Sequence, residues 1–313
     1  MIQVIQASAM FDTGITRRLN LTFLLLATLL SGCVSIAEVI ELPPSRMLET
    51  SDLADVRDLA LEMADVVGTD QVLVVLDLDN TLLAMEQNLG SDQWYDWQKK
   101  LLESEPCDPR VLPDRLAVQG AVYFASAMRL TQPDGAGVIR NLQDDGFTVI
   151  VVTSRGPDFR LQTFRELRRN GFNFYASAFG PEGGYDEDFQ LAGDGRPVRY
   201  EDGVFLTAGQ NKGVMLQALL LKTATPWPAI IIMADDKVKN LQDMLDAFHD
   251  NGTSVQAFRY RAEDARVAAF DGEEAAQQWT RAEPALLELQ HQFGPDNYAL
   301  PEPGQAPGCT SNP

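Results

Sequence analysis

The chain has 313 residues, with 25 Lys and Arg against 45 Asp and Glu, and a formal charge of −20. At 45% hydrophobic residues it can bury the core of one globular domain plus a substantial insertion, which excludes disordered, collagen-like and coiled-coil classes. The acidity argues against a nucleic-acid partner, and 2 His with 3 Cys leave little room for a His-rich zinc site or a disulfide scaffold. Chemistry must therefore rest mainly on carboxylates, hydroxyls and lysines.

Arg17 and Arg18 precede an apolar run over 19–30 that is short for a bilayer span and fits the apolar region of a secretory signal peptide. Leu30-Ser31-Gly32-Cys33 resembles the lipobox of bacterial lipoproteins. That resemblance implies removal of residues 1–32, lipidation of Cys33 and attachment to a membrane of the bacterial cell envelope. Val34, rather than an acidic residue, follows the cysteine and favours the periplasmic side of the outer membrane. Cys107 and Cys309 would then share an oxidising compartment; their pairing stays open at this level.

Residues 33–49 read as a tether. Leu53, Val56, Ala60, Met63 and Val67 recur at helical steps behind a Thr50/Ser51 cap, and Gly68 is the stop. The apolar run over 71–76 suits a strand buried on both faces, and similar runs recur over 148–152 and 229–233. Helical patterns over 159–169 and 237–249 follow the second and third runs, a further strand is expected over 254–260, and a helix over 273–293. Buried strands alternating with helices predict a doubly wound parallel α/β sheet.

Two intervals are too long for simple connections. Residues 84–134 contain a polar helical stretch with Trp94 and Trp97, which read as cap core before substrate stacking; 174–208 is Gly-rich with a hairpin turning at Glu201-Asp202-Gly203. The expected organisation is a core of 50–83 and 135–293, a mainly helical cap at 84–134, a second insertion at 174–208 and a flexible tail at 294–313.

Ligands of open α/β sheets bind beyond the carboxyl ends of the strands. Those ends carry Asp77-Leu78-Asp79-Asn80-Thr81, then Thr153-Ser154-Arg155-Gly156, then Asp235-Asp236 with Asn240 a turn later; Asn211-Lys212-Gly213 opens a helix between the last two. Carboxylates gathered at one edge repel unless a cation joins them, and an oxygen-only donor set without His or Cys favours Mg²⁺.

In this order the four segments resemble the motifs of the haloacid-dehalogenase-like (HAD) phosphohydrolase superfamily, more narrowly an exported bacterial branch of unknown function. The resemblance spans about 71–260 without much of the insertions, and implies a Rossmann-like core and a phosphomonoesterase. Asp77 would be the nucleophile, forming an aspartyl-phosphate, and Asp79 the acid and then base. Thr153 and Lys212 would grip the phosphoryl oxygens. Mg²⁺ would be held by Asp77, the Asp79 carbonyl and Asp235, with Asp236 either a ligand through water or a partner that supports the ligands. Arg155 either contacts the substrate phosphate or pairs with a cap carboxylate, and Asn240 hydrogen-bonds the motif loop. His249 and His291 belong to no constellation. The expected partner is a small phosphorylated substrate, with no expectation for oligomeric state. The competing reading is a non-catalytic envelope binding or scaffold protein that keeps the metal and phosphate site.

Overall fold

The structure, a computed structural model, describes residues 41–191, 195–294, 298–301 and 309. Cys33, the expected signal peptide and most of the expected tail lie outside the described residues. Strand β1 (Arg46–Thr50) and helix α1 (Leu53–Val67) lead into β2 (Val72–Leu76), then β3 (Leu83–Met85). Helices α2 (Asp92–Ser104) and α3 (Arg115–Ala125) follow, then β4 (Met128–Leu130), α4 (Gly135–Asp144), β5 (Thr148–Thr153) and α5 (Arg160–Arg169). The second half runs β6 (Arg199–Glu201), β7 (Val204–Leu206), α6 (Lys212–Lys222), β8 (Ile230–Asp235), α7 (Val238–Ala247) and β9 (Ser254–Tyr260). Short α8 (Asp264–Ala268) and long α9 (Gly272–Phe293) complete it. No helix among the described residues is long and apolar enough to cross a membrane.

The main sheet has the order β1-β9-β8-β2-β5-β7-β6, parallel throughout except for β6 against β7. Its alternation is strict where it matters. Along β2, Val72, Val74 and Leu76 join the core with α1 and α4, while Leu73 and Val75 join the opposite core with α6 and α7. Each such side chain contributes about 1.5–3 kcal/mol by leaving water, which is why a continuous β-branched run suits a strand covered on both faces. The chain is thus a mixed α/β fold with a mostly parallel central sheet flanked by helices.

Three local features differ from the sequence reading. β1 begins at Arg46, inside the segment read as a tether, and pairs in register with β9 from Gln256 to Tyr260. Helix α1 is capped by Asp52, whose side chain accepts from the Ala54 amide, because Thr50 is taken up as the last residue of β1. The second insertion is part of the sheet: β7 lies parallel to β5, and the hairpin turns at Asp202 and Gly203, both at positive φ, as a tight two-residue turn requires.

The cap stands on the β3–β4 pair and leans on α9. Trp97 packs on Phe270 and fills the space that a side chain at Gly272 would occupy. Asn88 donates to Glu274, and the Leu89 amide donates to Gln278. Trp94 is fully buried, so both tryptophans serve packing. Cys107, in the cap, is disulfide-bonded to Cys309 across 202 residues, which resolves the pairing left open above.

Candidate functional site

The site lies at the carboxyl edge of β2, β5 and β8. Asp77 leaves β2 with its amide donating to the Ala234 carbonyl (2.9 Å), so the first carboxylate is fixed to the backbone of the strand that delivers the next two. The chain then turns back on itself: Asn80 takes a positive φ of 59° and the amides of Leu82 and Leu83 both donate to the Leu78 carbonyl (2.9 Å). This tight turn buries Leu78 and brings the Thr81 hydroxyl to 3.5 Å from Asp77 and 3.1 Å from the Asp236 amide, which donates to it.

Carboxylate oxygens of Asp77, Asp235 and Asp236 lie within 4.8 Å of one another, a set that can hold a metal ion. Lys212, at the first turn of α6 and 1% exposed, donates to Asp77 Oδ1 (2.5 Å) and Asp235 Oδ2 (2.7 Å). Asn211 caps that helix by accepting from the Val214 amide, which fixes the lysine's starting point. Asp235 is completely buried; it accepts from the Lys237 amide (2.8 Å) and from Asn240 Nδ2 (3.0 and 3.1 Å). Asn240 therefore orients a carboxylate of the cluster.

Three carboxylates and one ammonium carry a formal charge of −2 in a nearly dry site, and the titration behaviour reflects it. Burial, then the neighbouring Asp235, pushes the Asp77 carboxyl up to about 7. Burial, then Asp77 and Asp92, pushes Asp236 up to about 9. Burial alone would lower the Lys212 ammonium, but Asp235 and Asp77 outweigh it and hold it above the usual lysine range. A divalent cation with all-oxygen preference fits this donor set: it would cancel the residual charge that the single lysine leaves.

Thr153 ends β5, 1% exposed, with its hydroxyl oxygen accepting from the Arg155 amide (3.2 Å). Among the described residues its hydroxyl proton has no acceptor and stays free to donate. Asp79 does not join the acidic cluster with its carboxylate. Arg155 holds it from Nε (2.9 Å) and from a terminal nitrogen (2.8 Å), the Tyr123 hydroxyl lies 3.4 Å away, and the guanidinium sits 4.2 Å over the Tyr123 ring. Arg155 also donates to Thr163 (3.0 Å). The structure thus sets Arg155 against the motif loop, a third arrangement beside substrate phosphate and cap carboxylate. His249 is exposed beside Asp250 and His291 is exposed on α9, both away from the cluster.

Two features carry no motif in the sequence. Lys237 binds Asp92 (2.7 Å) and Asp96 (3.1 Å), both on cap helix α2, and so ties the cap to the loop after β8. The spacing of Asp92 and Asp96 by one helical turn is the only sequence sign of it. Beyond Asp79 opens a cavity of about 480 Å³ between the cap, the loop after β5 and the second insertion.

A search of curated proteins returns no match to this chain. Residues 49–291 match the family model described as protein of unknown function (DUF2608). That match covers the sheet from the end of β1 onward, the cap, all three clustered carboxylates and Lys212, well over half the chain, and so the protein belongs to the DUF2608 family.

Proposed function

We propose that this protein is a Mg²⁺-dependent phosphomonoesterase that works through an aspartyl-phosphate on Asp77. The observation that carries the reading is the convergence of Asp77, Lys212, Asp235 and Asp236 within one buried cluster, at the strand edge where α/β folds bind ligands. The order of the segments, which resembles the HAD superfamily, supports it. Asp77, Asp235 and Asp236 would hold Mg²⁺, which supplies neutralisation of the repulsion between an anionic nucleophile and an anionic phosphate. Lys212 and the free Thr153 proton bind phosphoryl oxygens. An Asp77 oxygen attacks phosphorus as the ester oxygen leaves; Asp79 gives that oxygen a proton, then takes one from the water that hydrolyses the intermediate. Arg155 and Tyr123 position Asp79 beside the cavity.

The purified protein is expected to release phosphate from p-nitrophenyl phosphate with Mg²⁺ and to lose this with EDTA or in Asp77→Asn. Wild type and Asp77→Asn equally inert across a broad phosphate panel would remove the reading. One observation favours the alternative of a non-catalytic envelope binding protein: the two-point hold of Arg155 on Asp79. Under that alternative the protein binds Mg²⁺ and phosphate esters without turnover. We also place the protein in the bacterial envelope, lipid-anchored through Cys33, a reading that the Cys107–Cys309 disulfide supports because such bonds persist in oxidising compartments. Labelled palmitate retained in Cys33→Ala would sink the anchor.

A further inference from the structure

The cavity of about 480 Å³ has the capacity of a small-molecule site, and it begins at Asp79 without touching Asp77, Lys212, Asp235 or Asp236. Under the phosphomonoesterase reading, on which this inference rests, the phosphoryl group lies in the buried cluster and the group beside the proton donor is the departing alcohol. The cavity is therefore where the alcohol part resides, and its walls report on the chemistry of that part.

Those walls combine apolar surface with cations that are already taken. Tyr95, Leu116, Tyr123 and Phe159 supply the apolar faces. Arg155 is bound at two points to Asp79, and Lys237 is shared between Asp92 and Asp96. Two cations thus face three carboxylates; with Asp79 carrying the proton that it gives the ester oxygen, the charges of this part of the wall balance and neither cation is left over. The third cation, Arg196, is exposed at the rim and makes no ion pair among the described residues, and exposed Asp158 stands at the same opening. A second anionic group on the alcohol would lose its water against a wall with no interior cation to receive it, next to fixed carboxylates.

We infer that this protein selects phosphate monoesters whose alcohol is partly apolar and bears no negative charge, and rejects those with a second phosphate or a carboxylate. Neutral and cationic alcohols both satisfy the wall.

Three esters of one shape separate the possibilities: phenyl phosphate, 4-(aminomethyl)phenyl phosphate and 4-carboxyphenyl phosphate, each with Mg²⁺ and the full chain. The first two are expected to agree in kcat/KM within about threefold, and the carboxylate ester to fall at least about tenfold below them, because like charges set together weaken binding strongly. Arg196→Gln is expected to leave that order unchanged. If none of the three is hydrolysed, the phosphatase reading fails, but calorimetric titration of the same esters still gives the ratio for binding. A carboxylate ester handled as well as phenyl phosphate overturns the inference. A preference for it that disappears in Arg196→Gln does so too, and makes Arg196 an anion reader.

Discussion

Without a divalent cation, the acidic cluster is expected to be a pH-dependent weakness. An Asp carboxyl normally titrates at 3.8, and burial raises Asp77 to about 7. Between these values the folded protein keeps a proton that the unfolded chain has released, so stability falls as pH rises through this window and levels off above it. Three pH units at 1.36 kcal/mol each make the full loss from Asp77 about 4 kcal/mol, and about 2 kcal/mol of it falls between pH 5 and pH 7. For a domain of this size that is a drop in Tm of roughly 4–8 °C. Asp236, raised to about 9, extends the fall into the alkaline range. Bound Mg²⁺ favours the ionised carboxylates and removes the penalty, so its stabilising effect should grow with pH. Thermal unfolding in EDTA and in saturating Mg²⁺, at pH 5, 6, 7 and 8, measures this. Asp77→Asn separates the cluster from the general repulsion of an acidic protein: without Mg²⁺ at pH 8 it is expected to be more stable than wild type. Parallel EDTA curves for the two proteins, or a Mg²⁺ effect that shrinks with pH, would refute the reasoning.

Gly213→Ala is expected to destabilise by about 1–3 kcal/mol and to lower kcat, since overpacking forces the backbone to shift; a methyl there would collide with the Asp243 carbonyl of α7 and displace the turn that carries Lys212. Urea unfolding and phosphate release read the two effects, and an unperturbed variant would contradict the packing described. Cys107→Ser is expected to lower stability by about 2–4 kcal/mol under oxidising conditions and to make the protein insensitive to dithiothreitol, read from the urea midpoint of each form.

Continuous β-branched runs are the loudest signal in this sequence, and they marked the three central strands β2, β5 and β8 because burial on both faces leaves no polar alternation. The polar residues that end those runs could then be placed at one edge by topology alone. β1 was not legible: Arg46-Met47-Leu48-Glu49-Thr50 sits beside Pro43-Pro44 and has polar residues at both ends, as suits an edge strand with one neighbour. β7 is three residues long and looked like one arm of a hairpin, although its other side pairs with β5. Arg155 against Asp79 and Lys237 against Asp92 are separated by 76 and 145 positions, and only the fold decides which carboxylate each cation meets. The same holds for Cys107 and Cys309.

β1 also sets a direction. It runs parallel to β9, so Arg46 marks the amino edge of the sheet, whereas Asp77, Thr153 and Asp235 mark the carboxyl edge. The five residues of β1 cover about 16 Å of rise between the two edges. Residues 41–45 therefore enter the domain at the edge opposite the acidic cluster. A pull applied through them is borne by the β1–β9 pairing, at the edge away from the acidic cluster, and leaves the carboxylates at the other edge undisturbed.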